Sequence, residues 1–294
     1  MKILLLYFTG TYNTLYLTTL IKNHLLNNGN DVDSFDIASI KKVKFNDYDL
    51  VGIGYPIYCF NAPKIIEETF KKAKISNKKY FIYKNGRNYN KLNNASSNKL
   101  VNILNKKSNE FMGEYTYLMP SNIMYKSKDS FIKHLINYNL KHIKYMCKNL
   151  ENKKTYKVSL IEKVISFCGR FQRVICKTNI KSYKVIKSKC IRCRKCFNLC
   201  PTNNIVYNKQ KRNYEFKNNC TMCMRCSYVC PTNAIKIGLI ESFKISGTYD
   251  YLMISQIKDT YSFENEKERK YKKLKPYFDY INSLNISWGM FLSN

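Results

Sequence analysis

Acidic side chains are scarce in this sequence of 294 residues. It has 20 Asp and Glu residues against 51 Lys and Arg, which gives a formal net charge of +31 at pH 7. Such an excess ordinarily indicates nucleic acid or an anionic membrane surface as a partner. The sequence is also rich in Asn, Ile and Tyr, the profile of an AT-rich coding sequence, and that bias favours Lys without any functional demand. Both explanations stay open, and nucleic acid is not the partner we favour.

Long apolar runs are also absent. No stretch approaches the roughly 18 consecutive apolar residues of a transmembrane helix. The apolar start, residues 1–8, ends at Thr9 and Gly10 without a cleavage signal, and it predicts a buried strand. We therefore expect a cytoplasmic protein without a membrane span.

Histidine is rare, and no catalytic triad or pair of carboxylates stands out. His24, His134 and His142 are isolated from any partner at metal or catalytic spacing, so we expect surface or packing roles for them. Nothing in these residues points to a stand-alone enzyme.

Cysteine, in contrast, is abundant, with 12 residues. Cytoplasmic thiols stay reduced, so this number indicates metal or redox chemistry rather than disulfides. Eight of them form two runs of the same spacing, Cys-x2-Cys-x2-Cys-x3-Cys-Pro, and similar residues follow at 200–205 and 230–235. This repetition indicates an internal duplication. The other four, which we expect to be buried free thiols, are Cys59, Cys147, Cys168 and Cys176.

The spacing of the two runs is that of bacterial [4Fe-4S] sites, in which the fourth Cys of each run ligates the other cluster. Three cysteines at two-residue gaps can hold three corners of one cubane, whereas the fourth lies on the next helical turn and points away. The sequence therefore predicts cluster one on Cys190, Cys193, Cys196 and Cys230, and cluster two on Cys220, Cys223, Cys226 and Cys200. A pair of zinc sites is the less favoured alternative. A third possibility is that the clusters only stabilise the fold of a small domain and transfer no electrons.

This array resembles the bacterial two-cluster ferredoxins over residues 182–238. Ferredoxins of this kind are usually acidic, yet residues 177–240 hold fourteen basic residues and one acid, Glu215. Because complementary charge steers the encounter of two proteins, we predict an acidic redox partner.

The first half of the chain alternates short apolar runs with helical stretches, which predicts a parallel sheet covered by helices on both faces. Strands are predicted near 2–8, 31–37, 48–54, 79–84 and 112–118. Helices are predicted near 13–28, 61–74, 94–107 and 129–149, with a fifth near 159–175.

These patterns divide the chain into three parts. Residues 1–176 are predicted to form a flavodoxin-like α/β domain, a doubly wound parallel sheet of five strands. Residues 177–240 would form an α+β ferredoxin-like domain with two clusters. The tail, residues 241–294, has a Lys-rich helical stretch at 264–274 that Pro276 breaks. We expect a solvated helix there, and docking on either domain is the open alternative.

The loop after the first predicted strand carries Thr9, Thr11, Asn13 and Thr14 where the first helix begins. Hydroxyl, amide and free backbone N–H groups at a helix N-terminus can cradle a phosphate. Simple N-capping by Thr11 or Asn13 is the other interpretation. The loop resembles the flavodoxin phosphate loop, Thr/Ser-x-Thr-Gly-x-Thr, with Tyr12 at the position of the family's glycine.

Two further loops extend this resemblance, since a ligand of a doubly wound sheet lies beyond the carboxyl ends of the strands. Residues 54–58 follow the third predicted strand and residues 85–89 follow the fourth. Flavodoxins hold the flavin ring with these loops, often between aromatic rings. The resemblance therefore implies FMN contacts from Tyr55, Tyr58, Asn85, Gly86 and Tyr89.

Segments 54–64 and 119–123, together with the cysteine runs, are similar to the EFR-type ferredoxins, a family in which a flavodoxin-like domain is fused to a two-cluster ferredoxin domain. The resemblance covers residues 1–240. It implies an electron-transfer protein that relays single electrons through two [4Fe-4S] clusters, to or from FMN in the N-terminal domain. Two hypotheses stay open beside it: a flavin-dependent iron-sulfur oxidoreductase acting on a small substrate, and a redox-sensing basic protein with structural clusters.

Overall fold

The computed structural model describes residues 1–40, 42–89, 91–150, 158–264 and 269–284. Its main sheet has five parallel strands in the order β2-β1-β3-β4-β5. This is the flavodoxin-like order of a doubly wound sheet, so the predicted fold is confirmed. The strands are β1 (Lys2–Tyr7), β2 (Asp31–Asp36), β3 (Leu50–Pro56), β4 (Lys79–Gly86) and β5 (Glu110–Leu118).

Helices cover both faces of the sheet because β1 is apolar on both sides. Its alternate residues point to opposite faces, as in any strand. Ile3 and Leu5 belong to one core, and Leu4 and Leu6 belong to the core on the other face. The helices of this domain are α1 (Asn13–Asn27), α2 (Lys64–Lys72), α3 (Asn98–Asn105) and α4 (Asp129–Lys148).

The predicted fifth helix is divided in two, α5 (Leu160–Gly169) and α6 (Gln172–Ile180). A capping box starts α5: the Ser159 hydroxyl accepts from the Glu162 N–H at 3.3 Å, and the Glu162 carboxylate accepts from the Ser159 N–H at 2.7 Å. Between the two helices, Arg170 and Phe171 keep helical dihedral angles. The pair therefore runs as one nearly continuous helix.

The cysteine runs lie in a small module with duplicated backbone conformation. Left-handed residues occupy the same positions of both runs, such as Arg194 and Met224 ahead of the two short helices. Strand β6 pairs with β9 and strand β7 with β8, each pair antiparallel. The elements are β6 (Tyr183–Val185), α7 (Lys195–Asn198), β7 (Ile205–Asn208), β8 (Asn213–Phe216), α8 (Arg225–Tyr228) and β9 (Ile235–Ile237).

The tail is helical, with α9 (Tyr251–Gln256), α10 (Arg269–Lys272) and α11 (Lys275–Ser283). The expectation of a solvated helix was wrong, because Tyr271 and Tyr277 are fully buried against residues of α4. The predicted break at Pro276 is confirmed: α10 ends at Lys272, and Pro276 lies in the first turn of α11, where its missing N–H costs no hydrogen bond. No helix in the described ranges is long and apolar enough to cross a membrane.

The histidines and the cysteines outside the two runs differ in how deeply they are buried. His142 is buried in the core, whereas His134 is not isolated: its ring lies 3.0 Å from the Asp259 carboxylate. Cys59 and Cys168 are exposed rather than buried, since Cys59 sits at the tip of a turn and Cys168 faces outward on α5. Cys147 is half-buried. The side chain of Cys176 lies outside the described part of the chain.

Candidate functional site

Eight cysteines surround two separate cavities. The structure groups them crosswise, so that the fourth cysteine of each run lies with the first three of the other. One cavity is lined by Cys190, Cys193, Cys196 and Cys230, and the second by Cys200, Cys220, Cys223 and Cys226.

The shape and chemistry of these cavities fit the clusters. In the ranges that the structure describes, no three His, Cys or carboxylate side chains converge tightly enough to enclose a single metal ion. A cubane binds one thiolate at each of its four irons, so its ligands stand farther apart than those of a zinc ion. Apolar residues complete the walls, with Val185 and Ile235 at the first cavity and Ile205 and Phe216 at the second. The four-thiolate donor set and the apolar walls both suit [4Fe-4S].

Backbone N–H groups point at the sulfurs in both copies. The N–H groups of Asn204 and Ala234 donate to Cys200 and Cys230, each at 3.2 Å. Burial raises the pKa of Cys230, but hydrogen bonds from the Ala234 N–H and the Thr232 hydroxyl outweigh this effect, so its pKa falls below the ordinary value. Donors of this kind favour the thiolate, the form that binds iron, and tune the potential of a bound cluster.

The two copies face different surroundings. Residues 191–195 of the first copy are all exposed, whereas Cys223, Arg225 and Ser227 of the second are buried. The reason is contact with the sheet domain: a side chain at Gly10 would come within 2.4 Å of the Cys223 carbonyl oxygen. The cluster-two cysteines therefore lie against the carboxyl ends of the strands, and the cluster-one cysteines face outward.

Arg225 holds this contact together, and sequence reasoning missed it. Its guanidinium donates to the carbonyl of Thr9 (Nε to O, 3.1 Å), pairs with the Asp36 carboxylate at 2.8 Å and lies over the ring of Phe8. No local pattern in the sequence marks the residue. Its partners are distant in the chain and meet it only when the two domains dock.

The loop 9–14 keeps the turn of a phosphate loop, but the side chains of Asn13 and Thr14 already have protein partners. Tyr12 takes a left-handed backbone (φ 71°) and exposes its ring, so it does not crowd the loop. The Asn13 amide donates to the Pro120 carbonyl at 2.8 Å and accepts from the Tyr251 hydroxyl at 2.8 Å. Neither Thr11 nor Asn13 caps α1, because its N-cap is Tyr12, without a side-chain bond.

The threonine side chains of the loop are all buried. The Thr14 hydroxyl donates to Asn85 Oδ1 at 2.8 Å, and Thr11 is buried. The Thr9 hydroxyl is buried without a partner, and the segment that carries Cys223 and Arg225 covers the loop. A bound phosphate needs open space beside its donors, and the covering segment leaves little of it.

The aromatic residues expected to stack on a flavin lie elsewhere. Tyr55 is completely buried in the sheet core, and Tyr89 stacks on Tyr280 of α11 with ring centroids 5.5 Å apart. The Tyr58 hydroxyl fills the space above Gly10. Gly86 accepts from the Met119 N–H at 3.0 Å, which closes the edge of β4. The stacking roles predicted for Tyr55 and Tyr89 are therefore wrong, and FMN does not fit this arrangement.

The part of the chain that carries the clustered cysteines is similar to a known protein family. A family model described as the 4Fe-4S dicluster domain matches residues 183–237. This part of the chain is a ferredoxin-type iron-sulfur domain. The match contains all eight clustered cysteines, and the chain thus joins a flavodoxin-like sheet to a 4Fe-4S dicluster domain. No curated protein matches the chain.

Solved structures similar to the chain include two flavodoxins. The flavodoxin of Streptococcus pneumoniae is 14% identical, with a TM-score of 0.39 over 52% of this chain and 100% of that one. Oxidised flavodoxin 2 of Bacillus cereus is 14% identical, with a TM-score of 0.40 over the same shares. Rubredoxin oxygen:oxidoreductase of Desulfovibrio gigas is 11% identical, with a TM-score of 0.38 over 56% of this chain and 36% of that one.

Cations surround the outward cysteines. A cavity beside Cys190 is lined by Lys187, Arg192, Lys211 and Arg212, of which Lys211 pairs with Glu215 at 2.9 Å. The first cysteine run also carries three exposed apolar side chains, Ile191, Phe197 and Leu199. We call the four cations and these three apolar residues the outer basic surface.

Another cavity, of about 180 Å³ and distinct from the two cysteine cavities, lies between the two domains beside Cys220. Tyr58, Lys64, Arg170 and Asn219 are among its lining residues. It has aromatic, amide and cationic groups next to a predicted cluster-two ligand, and Glu68, which also lines it, pairs with Lys64 at 3.0 Å.

Proposed function

We propose that the chain is an electron-transfer protein whose eight clustered cysteines hold two [4Fe-4S] clusters as a relay for single electrons. The observation that carries the proposal is the pair of four-cysteine cavities built crosswise from one duplicated module. When bound, the clusters supply one-electron redox chemistry. The chain's own task is to hold the sulfurs, exclude water with the apolar walls and set the charge around each site.

The outer basic surface supports an acidic redox protein as the partner. Its cations surround Cys190, and complementary charge speeds the encounter of redox proteins. Ile191, Phe197 and Leu199 add apolar area of the kind that is buried at the centre of an interface. In this proposal, electrons enter or leave on the cluster-one side, because the cluster-two side is covered by the sheet domain.

FMN is not part of the proposal. The groups expected to hold it are engaged with the cluster-two segment and the tail, and we derive no step through a flavin. The sheet domain acts instead as the support on which the cysteine module is docked.

A reductive titration of anaerobically purified protein tests the proposal. Two four-iron clusters should take up about two electrons per chain, one for each cluster. Uptake of no electrons by a protein with its full iron content would contradict a relay and favour a structural role for the clusters.

The cavity beside Cys220 favours a second candidate function, an oxidoreductase that reduces or oxidises a small anionic substrate. Lys64 lines this cavity, whereas Lys72, on the same helix, does not. Turnover of a small organic acid by the reduced protein, weakened by Lys64→Glu but not by Lys72→Glu, would support this function over the relay alone.

A further inference from the structure

The outward face of α5 and of the first turn of α6 carries exposed apolar side chains from Leu160 to Ile175. Side chains at helical spacing line up on it with between 53% and 76% of their surface exposed, which is unusual for large hydrophobic residues. They are Leu160, Val164, Phe167, Phe171, Val174 and Ile175. We call this set the apolar face.

Hydrogen bonds hold the helix with this face outward. The Ser166 hydroxyl donates to Asn61 Oδ1 at 2.8 Å, and the Asn61 amide donates to the Ser166 carbonyl at 2.8 Å. The Glu162 carboxylate accepts from the Asn94 amide at 3.1 Å. Any side chain at position 169 would collide with the Cys59 carbonyl, so Gly169 allows the helix to approach the sheet domain closely.

This arrangement inverts the usual amphipathic helix, because the buried side is polar and small and the exposed side is apolar. The hydrophobic effect opposes such an orientation in water. A contiguous apolar patch of this kind marks an interaction site. The specific contacts of Ser166 and Glu162 fix the rotation of the helix, so the exposure of the apolar face is built into the fold.

Charge identifies what covers the face. Lys163 on α5 is exposed, whereas the acid of α5, Glu162, is turned inward. Arg170 is partly exposed, and its Nε donates to Asn61 Oδ1 at 3.4 Å. The whole chain carries a formal charge of +31. A second copy on this face would bring like charges together, whereas an anionic surface would attract them.

We propose that α5 and α6 bind the surface of an anionic lipid membrane. The nearly continuous helix from Leu160 to Ile180 is about 30 Å long at 1.5 Å per residue and would lie in the plane of the headgroups. The apolar face enters the boundary with the acyl chains, and the cations meet the lipid phosphates, as in other interfacial helices. The proposal does not rest on the electron-transfer function.

Vesicle co-sedimentation of the holoprotein tests this proposal. We expect strong binding to vesicles of phosphatidylglycerol and phosphatidylcholine, at least ten-fold weaker binding to phosphatidylcholine alone, and weakening by salt. The double variant Phe167→Ser with Phe171→Ser should lower binding to the anionic vesicles about ten-fold or more. Both side chains are exposed, so the cluster absorbance should be unchanged.

Leu252→Ser is the matched control, since Leu252 is an exposed leucine of α9 (74%) outside the apolar face. It should bind vesicles like the unchanged protein. Equal vesicle binding by the double variant would overturn the proposal. So would a dimer of the unchanged protein that the double variant dissociates, because the face would then belong to a second copy.

Discussion

Arg225 and Asp36 form an ion pair at 2.8 Å that joins the cysteine module to the sheet domain. Arg225 lies in α8 between two predicted cluster-two ligands, and Asp36 is the last residue of β2. Burial raises the pKa of Asp36, although Arg225 acts in the opposite direction. The pair therefore lies in a largely buried contact between the domains.

Removing Arg225 should loosen this contact. Arg225→Met leaves the half-buried Asp36 carboxylate without its partner, and we expect it to cost less than the roughly 3–5 kcal/mol of breaking a fully buried pair. We expect faster hydrogen exchange in peptides that cover residues 8–14. The control is Lys195→Met, because Lys195 has the matching position in the first copy and is exposed. Equal exchange in the two variants would show that Arg225 does not hold the domains together.

Substituting the tyrosine of the loop should not create a flavin site. Tyr12 already has the left-handed backbone that glycine would adopt, and its ring is exposed. The obstacles are Tyr58 and Cys223, which adjoin Gly10. Neither the unchanged protein nor Tyr12→Gly should therefore quench the fluorescence of added FMN. Stoichiometric quenching by Tyr12→Gly alone would mean that Tyr12 is the block.

Electron exchange with an acidic redox protein should slow as ionic strength rises, because salt screens the outer basic surface. Reversing charge with Arg192→Glu should lower the rate constant about ten-fold at low salt. Lys72→Glu, a reversal on α2 away from that surface, is the control. Rate constants that do not change with salt or with Arg192→Glu would exclude this surface as the docking site.

Alkylation at pH 8 should separate the thiols outside the clusters. Cys168 is exposed and should react with iodoacetamide in the native holoprotein. Burial raises the pKa of Cys147 to about 12, so almost none of it is thiolate at pH 8 and it should react only after unfolding. Mass spectrometry of labelled peptides gives both rates. Equal rates in the native protein would contradict the burial of Cys147.

The features that could be predicted are those encoded by local spacing. The parallel strands follow from short apolar runs, and the grouping of Cys200 with the second run follows from the position of the fourth cysteine, one helical turn beyond the third. The features that could not be predicted depend on partners far along the chain. Arg225 is one, and Tyr89, which stacks on Tyr280 instead of facing a flavin, is another.

The tail illustrates the same limit. The Lys-rich segment 264–274 predicts a solvated helix because charged residues dominate its composition. Tyr271 and Tyr277 are nevertheless buried against α4. Only the tertiary structure shows that α4 presents an apolar surface to the tail.

Iron analysis of three forms of the anaerobically purified protein, the unchanged chain, Cys200→Ala and Cys230→Ala, tests the two crosswise clusters most directly. The unchanged chain should hold about eight irons and eight inorganic sulfides, as two [4Fe-4S] clusters require. Cys200→Ala should specifically disturb the cluster held by the second run, and Cys230→Ala the cluster held by the first run, as seen in the electron paramagnetic resonance of the reduced protein. Zinc in place of iron, about four irons in the unchanged chain, or each variant disturbing the cluster of its own run would contradict the crosswise pair.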